Sequence, residues 1–344
     1  MQMPMTSVPT ESNHVILTTK VVLLKLWSIF HFLHLLSFHG KKLVNGGNYF
    51  FQYFRPQVIA LTTVNGNTIE ENVNINNQKI LRAARRQDVP IYRGSNSSLI
   101  DKESERDYFF GQNGLGDNNE TLTGLVPAQK QGAVETLLEL SKKHEGKLIL
   151  IVIGSLTNIA LAVKLDPKFL QRFTHVYVGA GHIESERYPK PEFNARIDVE
   201  AYRILAQYAT PDKVTVVPFS QVLDYLDIDL DWRKNKLGKI NTDSIKAINS
   251  YERISLPKTK SWNLLDPAVV AIALSNVPLK NGKEPDFVTE YKFSKNDIIL
   301  CGNKRGINTN NFVKEEYANV RVAYSFDVEK YKSFLLDIFT AELR

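Results

Sequence analysis

Asn65-Gly66-Asn67 falls where an apolar, β-branched run beginning at Val58 gives way to a polar segment. Farther along, Glu192-Phe193-Asn194 places a carboxylate and an amide either side of an aromatic ring, and Asp266 heads the apolar stretch 267–274. An amide holds a donor and an acceptor in one plane and a carboxylate only accepts, so these groups suit a hydroxyl-bearing ligand. Each also has a plain structural account. Asn-Gly-Asn is good turn chemistry, Glu192 to Asn194 fits a solvated loop, and Asp266 fits a helix cap. Cysteine chemistry has little to stand on. Cys301 is the only cysteine, so no internal disulfide or cysteine-based zinc site can form, and its place after Ile298-Ile299-Leu300 reads as strand or strand-end packing. Seven histidines show no HExxH or comparable ligand spacing.

The elements that would hold these residues alternate. QVIALTTV from Gln57 reads as a buried strand, and residues 68–87 as an amphipathic helix on Ile69, Val73, Ile80 and Ala84. VPIY is a short strand, 129–144 a helix, and KLILIVIG a fully buried strand. SLTNIALAVKL opens on a Ser/Thr capping signal and stops before Pro167. THVYVGAG and KVTVVPF are further strands around the helix DVEAYRILAQYA, and 266–275 and 328–343 are helical. Residues 287–293, 298–301 and 320–325 read as strands, antiparallel and near an edge. Continuous apolar strands alternating with amphipathic helices predict an α/β fold, a mostly parallel sheet covered on both faces. Ligands of such sheets sit beyond the carboxyl ends of the strands. There Asn65-Gly66-Asn67, Gly154-Ser155 and Gly179-Ala180-Gly181 are expected to share one rim.

At 344 residues, 43% hydrophobic and 23% charged, the chain can bury a large core. The net charge of +6 is scattered in short clusters such as Arg85-Arg86 and Lys142-Lys143 without interleaved aromatics, which points away from nucleic acid. Residues 26–38, LWSIFHFLHLLSF, are too short for the ~20 residues of a bilayer span and carry two histidines. Neither a clean signal-peptide core nor a cleavage site is evident, so membrane attachment is the lesser expectation and a cytoplasmic location the favoured one. The expected division is an atypical, loosely ordered or displaced segment over 1–56 and one domain over 57–344.

Six stretches in order resemble the inosine–uridine preferring nucleoside hydrolases: VIALTTVNGN, DVPIYRGS, FFGQNGLGD, IVIGSLTNIALAVKLDP, PEFNARIDVEAYRIL and LLDPAVVAIAL. They span Val58 to about Ala273. The resemblance implies a single-domain, Rossmann-like nucleoside hydrolase fold. It also implies hydrolysis of the N-glycosidic bond of purine and pyrimidine ribonucleosides in salvage, Ca2+ as cofactor, a ribonucleoside substrate and a homo-oligomer. By the same resemblance Asn67 lies near the ribose and the metal-bound water. Glu192 and Asn194 grip ribose hydroxyls with Phe193 against the substrate. Asp266 and the backbone carbonyl of Ile153 are calcium ligands.

Four departures stand beside it. Phe110 and Leu265 occupy places where many members carry histidines that protonate the leaving base, and Glu186 lies about where a ribose-binding asparagine is usual. The family also opens with a strand ending in an Asp-x-Asp-x-Gly-x-Asp-Asp turn, which supplies calcium ligands and the general base. Here that place reads HVILTTKVVLLKLWSIF, and residues 12–69 contain neither Asp nor Glu. The expectation is therefore a weakened or silent catalyst, with a nucleoside- or ribose-binding pseudoenzyme as the alternative. Residues 15–17 and 21–24 have the β-branched character to keep a strand there. Read from the third base of the Leu17 codon, the coding bases are compatible with Asp-Asn-Glu-Gly-Gly, a degenerate form of the missing turn. That is a hypothesis about the reading frame, and a transcript running uninterrupted in the present frame would reject it.

Overall fold

Strands with no polar alternation need apolar cover on both faces, and the fold supplies it. The computed structural model describes residues 14–19, 57–100, 106, 108–118, 123–275 and 287–341. Among these, nine strands form one sheet: β1 His14–Thr19, β2 Gln57–Thr63, β3 Ile91–Tyr92, β4 Leu148–Val152, β5 Phe173–Gly179, β6 Val214–Val217, β7 Val288–Ile298, β8 Asn308–Phe312 and β9 Val320–Phe326. Their order is β3-β2-β1-β4-β5-β6-β9-β7-β8. Pairing is parallel from β3 through to β9, and antiparallel where β7 joins β9 and β8. The α/β architecture expected from the alternating pattern is the one observed.

The helices are α1 Glu70–Ala83, α2 Ala133–Lys143, α3 Thr157–Leu165, α4 Phe193–Ile197, α5 Val199–Tyr208, α6 Phe219–Tyr225, α7 Asp243–Tyr251, α8 Leu265–Ser275 and α9 Val328–Ala341. The sheet alternation sorts them. Val15, Leu17, Ile149 and Ile151 point into a core with α1, α7, α8 and α9, whereas Ile16, Leu148, Leu150 and Val152 meet α2, α3 and α5 on the other face. Each such aliphatic side chain, when fully buried, contributes about 1.5–3 kcal/mol.

β1 lies upstream of the boundary expected at residue 56, yet it sits inside the sheet between β2 and β4. Val15, Ile16 and Leu17 are buried there, as their β-strand character suggested. The other stretch proposed for that strand, 21–24, and the segment 26–38 lie outside the described residues. No helix among the described residues is long and apolar enough to cross a membrane.

Five local expectations are corrected. The two strands expected over 287–301 are one strand, β7, that runs on to Ile298, because its partners β9 and β8 continue the ladder through the polar middle. Cys301 does not pack; it is exposed, at the turn after β7. Ile69 is not on the apolar face of α1 but precedes it, 42% exposed. The helix expected from 129 starts at Ala133, after Gln129 has bridged to Tyr92. Finally, α3 has no side-chain cap. Its serine and threonine hydroxyls are taken elsewhere: Ser155 Oγ donates to the Asn65 carbonyl (3.2 Å) and Thr157 Oγ1 to Asp198 (2.7 Å).

Candidate active site at the carboxyl rim of the sheet

Since β1, β2, β4 and β5 run parallel, their carboxyl ends open on one edge. The expected small and amide-bearing residues do converge there. The Asn65 carbonyl after β2 accepts from Ser155 after β4. Asn158, in the first turn of α3, donates to the Thr63 carbonyl (2.7 Å) and accepts from the Ser95 N–H (2.9 Å), tying the ends of β2 and β3 together. Asn67 follows, 6% exposed, with Thr68 beside it donating to the Gln112 carbonyl (3.1 Å). This contact brings the glycine-rich stretch 109–117 onto the head of α1. Asn76 secures it through the Asn113 carbonyl (2.7 Å). At Gly114, φ is +72° and a Cβ would stand 2.8 Å from Thr68, so both conformation and space call for glycine.

The end of β5 carries the most developed part of the rim. Glu192 caps α4, and its Oε2 accepts from Ala195 N–H (3.0 Å) and Gly181 N–H (2.8 Å). Asn194 Nδ2 donates to the Gly179 carbonyl (2.6 Å). Its Oδ1 is buried with no partner among the described residues, a state that costs about 1–3 kcal/mol unless a ligand hydroxyl answers it. Phe193, between them, is half-buried with the Arg196 guanidinium 5.8 Å from its ring centroid. The backbone confines these residues: Glu192 and Asn194 bridge the strand exit and the head of α4.

α8 delivers Asp266 to the same edge. A Cβ at Gly179 would meet Val269 Cγ2 at 2.7 Å, so the helix lies directly against the end of β5. Asp266 is 3% exposed and occupies the first turn rather than the cap position, where a carboxylate still meets the positive end of the helix dipole. Ile153 directly follows β4, fully buried, and its N–H donates to the Thr18 carbonyl (3.1 Å). Phe110 and Leu265 are buried in the apolar core, so neither place offers a proton to a ligand. Glu186 is exposed on the loop between β5 and α4.

At the end of β1, where the resemblance places carboxylates, stands Thr18. It is fully buried, and its hydroxyl accepts from Thr62 Oγ1 (2.8 Å). Calcium takes six to eight oxygens, several of them anionic in a tight site. No group of three or more His, Cys, Asp or Glu among the described residues is placed to hold a metal ion. The described residues at this rim do not fit a resident calcium ion.

Three charged groups near the rim carried no sequence signal. Glu70, 3% exposed, accepts from Thr63 Oγ1 (2.5 Å) and from Arg93, whose guanidinium it holds more basic than usual. Asp198 caps α5 and accepts from Leu99 N–H and Thr157; burial pushes its carboxyl above the ordinary range. Apart from the Ala201 N–H that Asp198 caps, their partners come from other elements, which no local spacing announces.

Residues 49–333 match the family model described as inosine-uridine preferring nucleoside hydrolase. The enzyme of that name from Crithidia fasciculata is 32% identical over 292 residues, 82% of this chain and 88% of its own. Uridine nucleosidase 1 of Arabidopsis thaliana is 29% identical over 81% of this chain and 84% of its own. Among solved structures, a plant nucleoside hydrolase matches with a TM-score of 0.78 at 22% identity, covering 96% of this chain and 99% of its own, a likeness of fold.

Proposed function

The chain belongs to the inosine-uridine preferring nucleoside hydrolase family, and from that premise we propose that it acts at the N-glycosidic bond of purine and pyrimidine ribonucleosides, giving free base and ribose. The observation that carries this reading is the Glu192–Asn194 pair. Asn194 holds out a buried, unanswered acceptor, and Glu192 binds both its backbone donors through Oε2, leaving Oε1 for a hydroxyl. Two acceptors on one short helix start suit the neighbouring hydroxyls of ribose. Breaking the bond leaves an oxocarbenium-like sugar, whose positive charge a carboxylate such as Glu192 would favour. Phe193 lies against the substrate, and Asn67 closes the site from β2. With apolar side chains at Phe110 and Leu265, protonation of the leaving base falls to other groups.

A second reading is favoured by Thr18. A threonine hydroxyl is no general base near neutral pH, so the same rim suits a protein that binds a ribonucleoside without turning it over. Ribose release from inosine and uridine by the purified chain, with calcium and then with excess chelator, separates the two. Release of ribose in either condition supports hydrolysis. Calorimetric binding of inosine without release, indifferent to chelator, supports the silent binder, and a folded chain that does neither overturns both. On the donor set, saturating calcium is expected to leave the melting temperature within about 1 °C of its value in chelator; a larger rise would mean that a calcium site is present after all.

A further inference from the structure

β8 lies four places from β5 in the sheet order, yet its first residue reaches the ribose-side segment. Asn308 is 2% exposed, and its Oδ1 accepts from the His182 N–H (3.3 Å). Its amide also fills the space beside Gly181. There φ is +86°, and a Cβ would stand 2.8 Å from Asn308 Oδ1 and 2.9 Å from its Cγ. Gly181 in turn gives its N–H to Glu192 Oε2. A second tie runs from Asn310 Nδ2 to the His182 carbonyl (3.2 Å), and on the opposite side Phe219 N–H holds the Gly181 carbonyl (2.8 Å). Behind them, Asn310 Oδ1 accepts from Asn296, and Asn296 Oδ1 from Tyr202 on α5, so the hairpin end is itself anchored.

We propose that Asn308 is a positioning residue for Glu192. It holds the Gly181–His182 peptide and packs beside Gly181, fixing the turn at that residue so that the preceding peptide presents the Gly181 N–H to Oε2, which turns Oε1 toward the ribose. The inference rests on Glu192 being a ribose-binding group. Asn308 touches no substrate in this arrangement; it acts through the backbone. Asn308 Nδ2 has no partner among the described residues. An apolar group of similar shape would leave the His182 N–H without its acceptor. The acceptor is the part that matters, and it is the part in use.

Two measurements on the full chain test this. Hydrogen exchange by mass spectrometry should show the Gly181 amide in Asn308→Ala exchanging about tenfold faster, with β5 protection at Phe173–Gly179 unchanged. Calorimetry should show inosine binding weakened about tenfold in Asn308→Ala and restored to within about threefold in Asn308→Asp, which keeps the acceptor. Asn310→Ala, cutting the other tie at a half-buried position, should move both readings the same way by about threefold. It serves in place of Asn308→Ala should that variant not fold. Unchanged exchange at Gly181, or faster exchange spread evenly through the sheet, overturns the proposal. Inosine binding that survives Asn308→Ala overturns the positioning role alone. Absence of inosine binding by the unaltered chain overturns the ribose reading of Glu192 and the positioning with it.

Discussion

Glu192 serves the fold and the ligand through different oxygens, and that division makes it testable. Glutamine at this position still offers an acceptor to Gly181 and Ala195. Glu192→Gln should therefore cost only about 1 kcal/mol of stability, the difference between charged and neutral hydrogen bonds, while nucleoside affinity falls about tenfold as a donor replaces Oε1. Asn194→Ala should lose affinity by at least as much and also about 1–3 kcal/mol of stability, since the Gly179 carbonyl is left buried and unpaired. Urea unfolding beside calorimetry checks both; a Glu192→Gln variant that keeps its nucleoside affinity, or loses much more than about 1 kcal/mol of stability, would refute the division. The residue types at this site were legible in the sequence. Which atoms were already committed was not, because Gly179 and Gly181 reach Glu192 and Asn194 only once β5 has turned into α4.

Elements read well from sequence where they are apolar and poorly where they are polar. β8 was missed because NTNNF has no apolar alternation; it is a strand only because β7 pairs with it. The short turn of π-helix at Trp232–Lys236 was equally hidden. It carries Arg233, 1% exposed, onto Glu252, 3% exposed, at 2.6 Å. Glu252 Oε1 also accepts from Trp262 Nε1 (3.1 Å), and Arg233 Nη1 donates to Asn249 (2.9 Å). This buried ion pair ties the π-turn, α7 and the approach to α8 together, and so fixes the helix that carries Asp266. Arg233→Ala leaves a buried carboxylate without its cation and is expected to destabilise the protein by about 3–5 kcal/mol. A loss below about 1 kcal/mol in denaturant unfolding would show that the pair is structurally dispensable.

Across the described residues, half-buried imidazoles contribute to the response to acid. His175 on β5 lies 2.7 Å from Thr215 Oγ1, and burial, reinforced by the charge of Arg321, brings its pKa down to about 3. His14 and His144 meet edge to face at the foot of β1, 4.8 Å between centroids. Burial lowers both, with Lys147 adding to the effect at His14 and His14 itself adding to it at His144. All three are less basic folded than unfolded, so the unfolded chain binds more protons below its ordinary histidine value of 6.5. Their contribution to stability is complete above that pH and is lost as pH falls below it. Melting temperature should hold steady from about pH 8 to 7 and drop between about pH 6 and 4. His175→Gln should flatten the drop, and a melting temperature that rises on acidification would contradict this assignment.

The position of β1 also governs how the molecule comes together in time. Its neighbours are β2 and the much more distant β4, with His14 against Leu148, so β1 cannot complete its pairing until a strand about 130 residues farther along the chain has been made. Contacts of such long sequence separation slow folding. Until β1 docks, the facing edges of β2 and β4 stand open to a neighbouring chain. Yield on refolding should therefore depend steeply on protein concentration, whatever the fate of the chemistry at the rim.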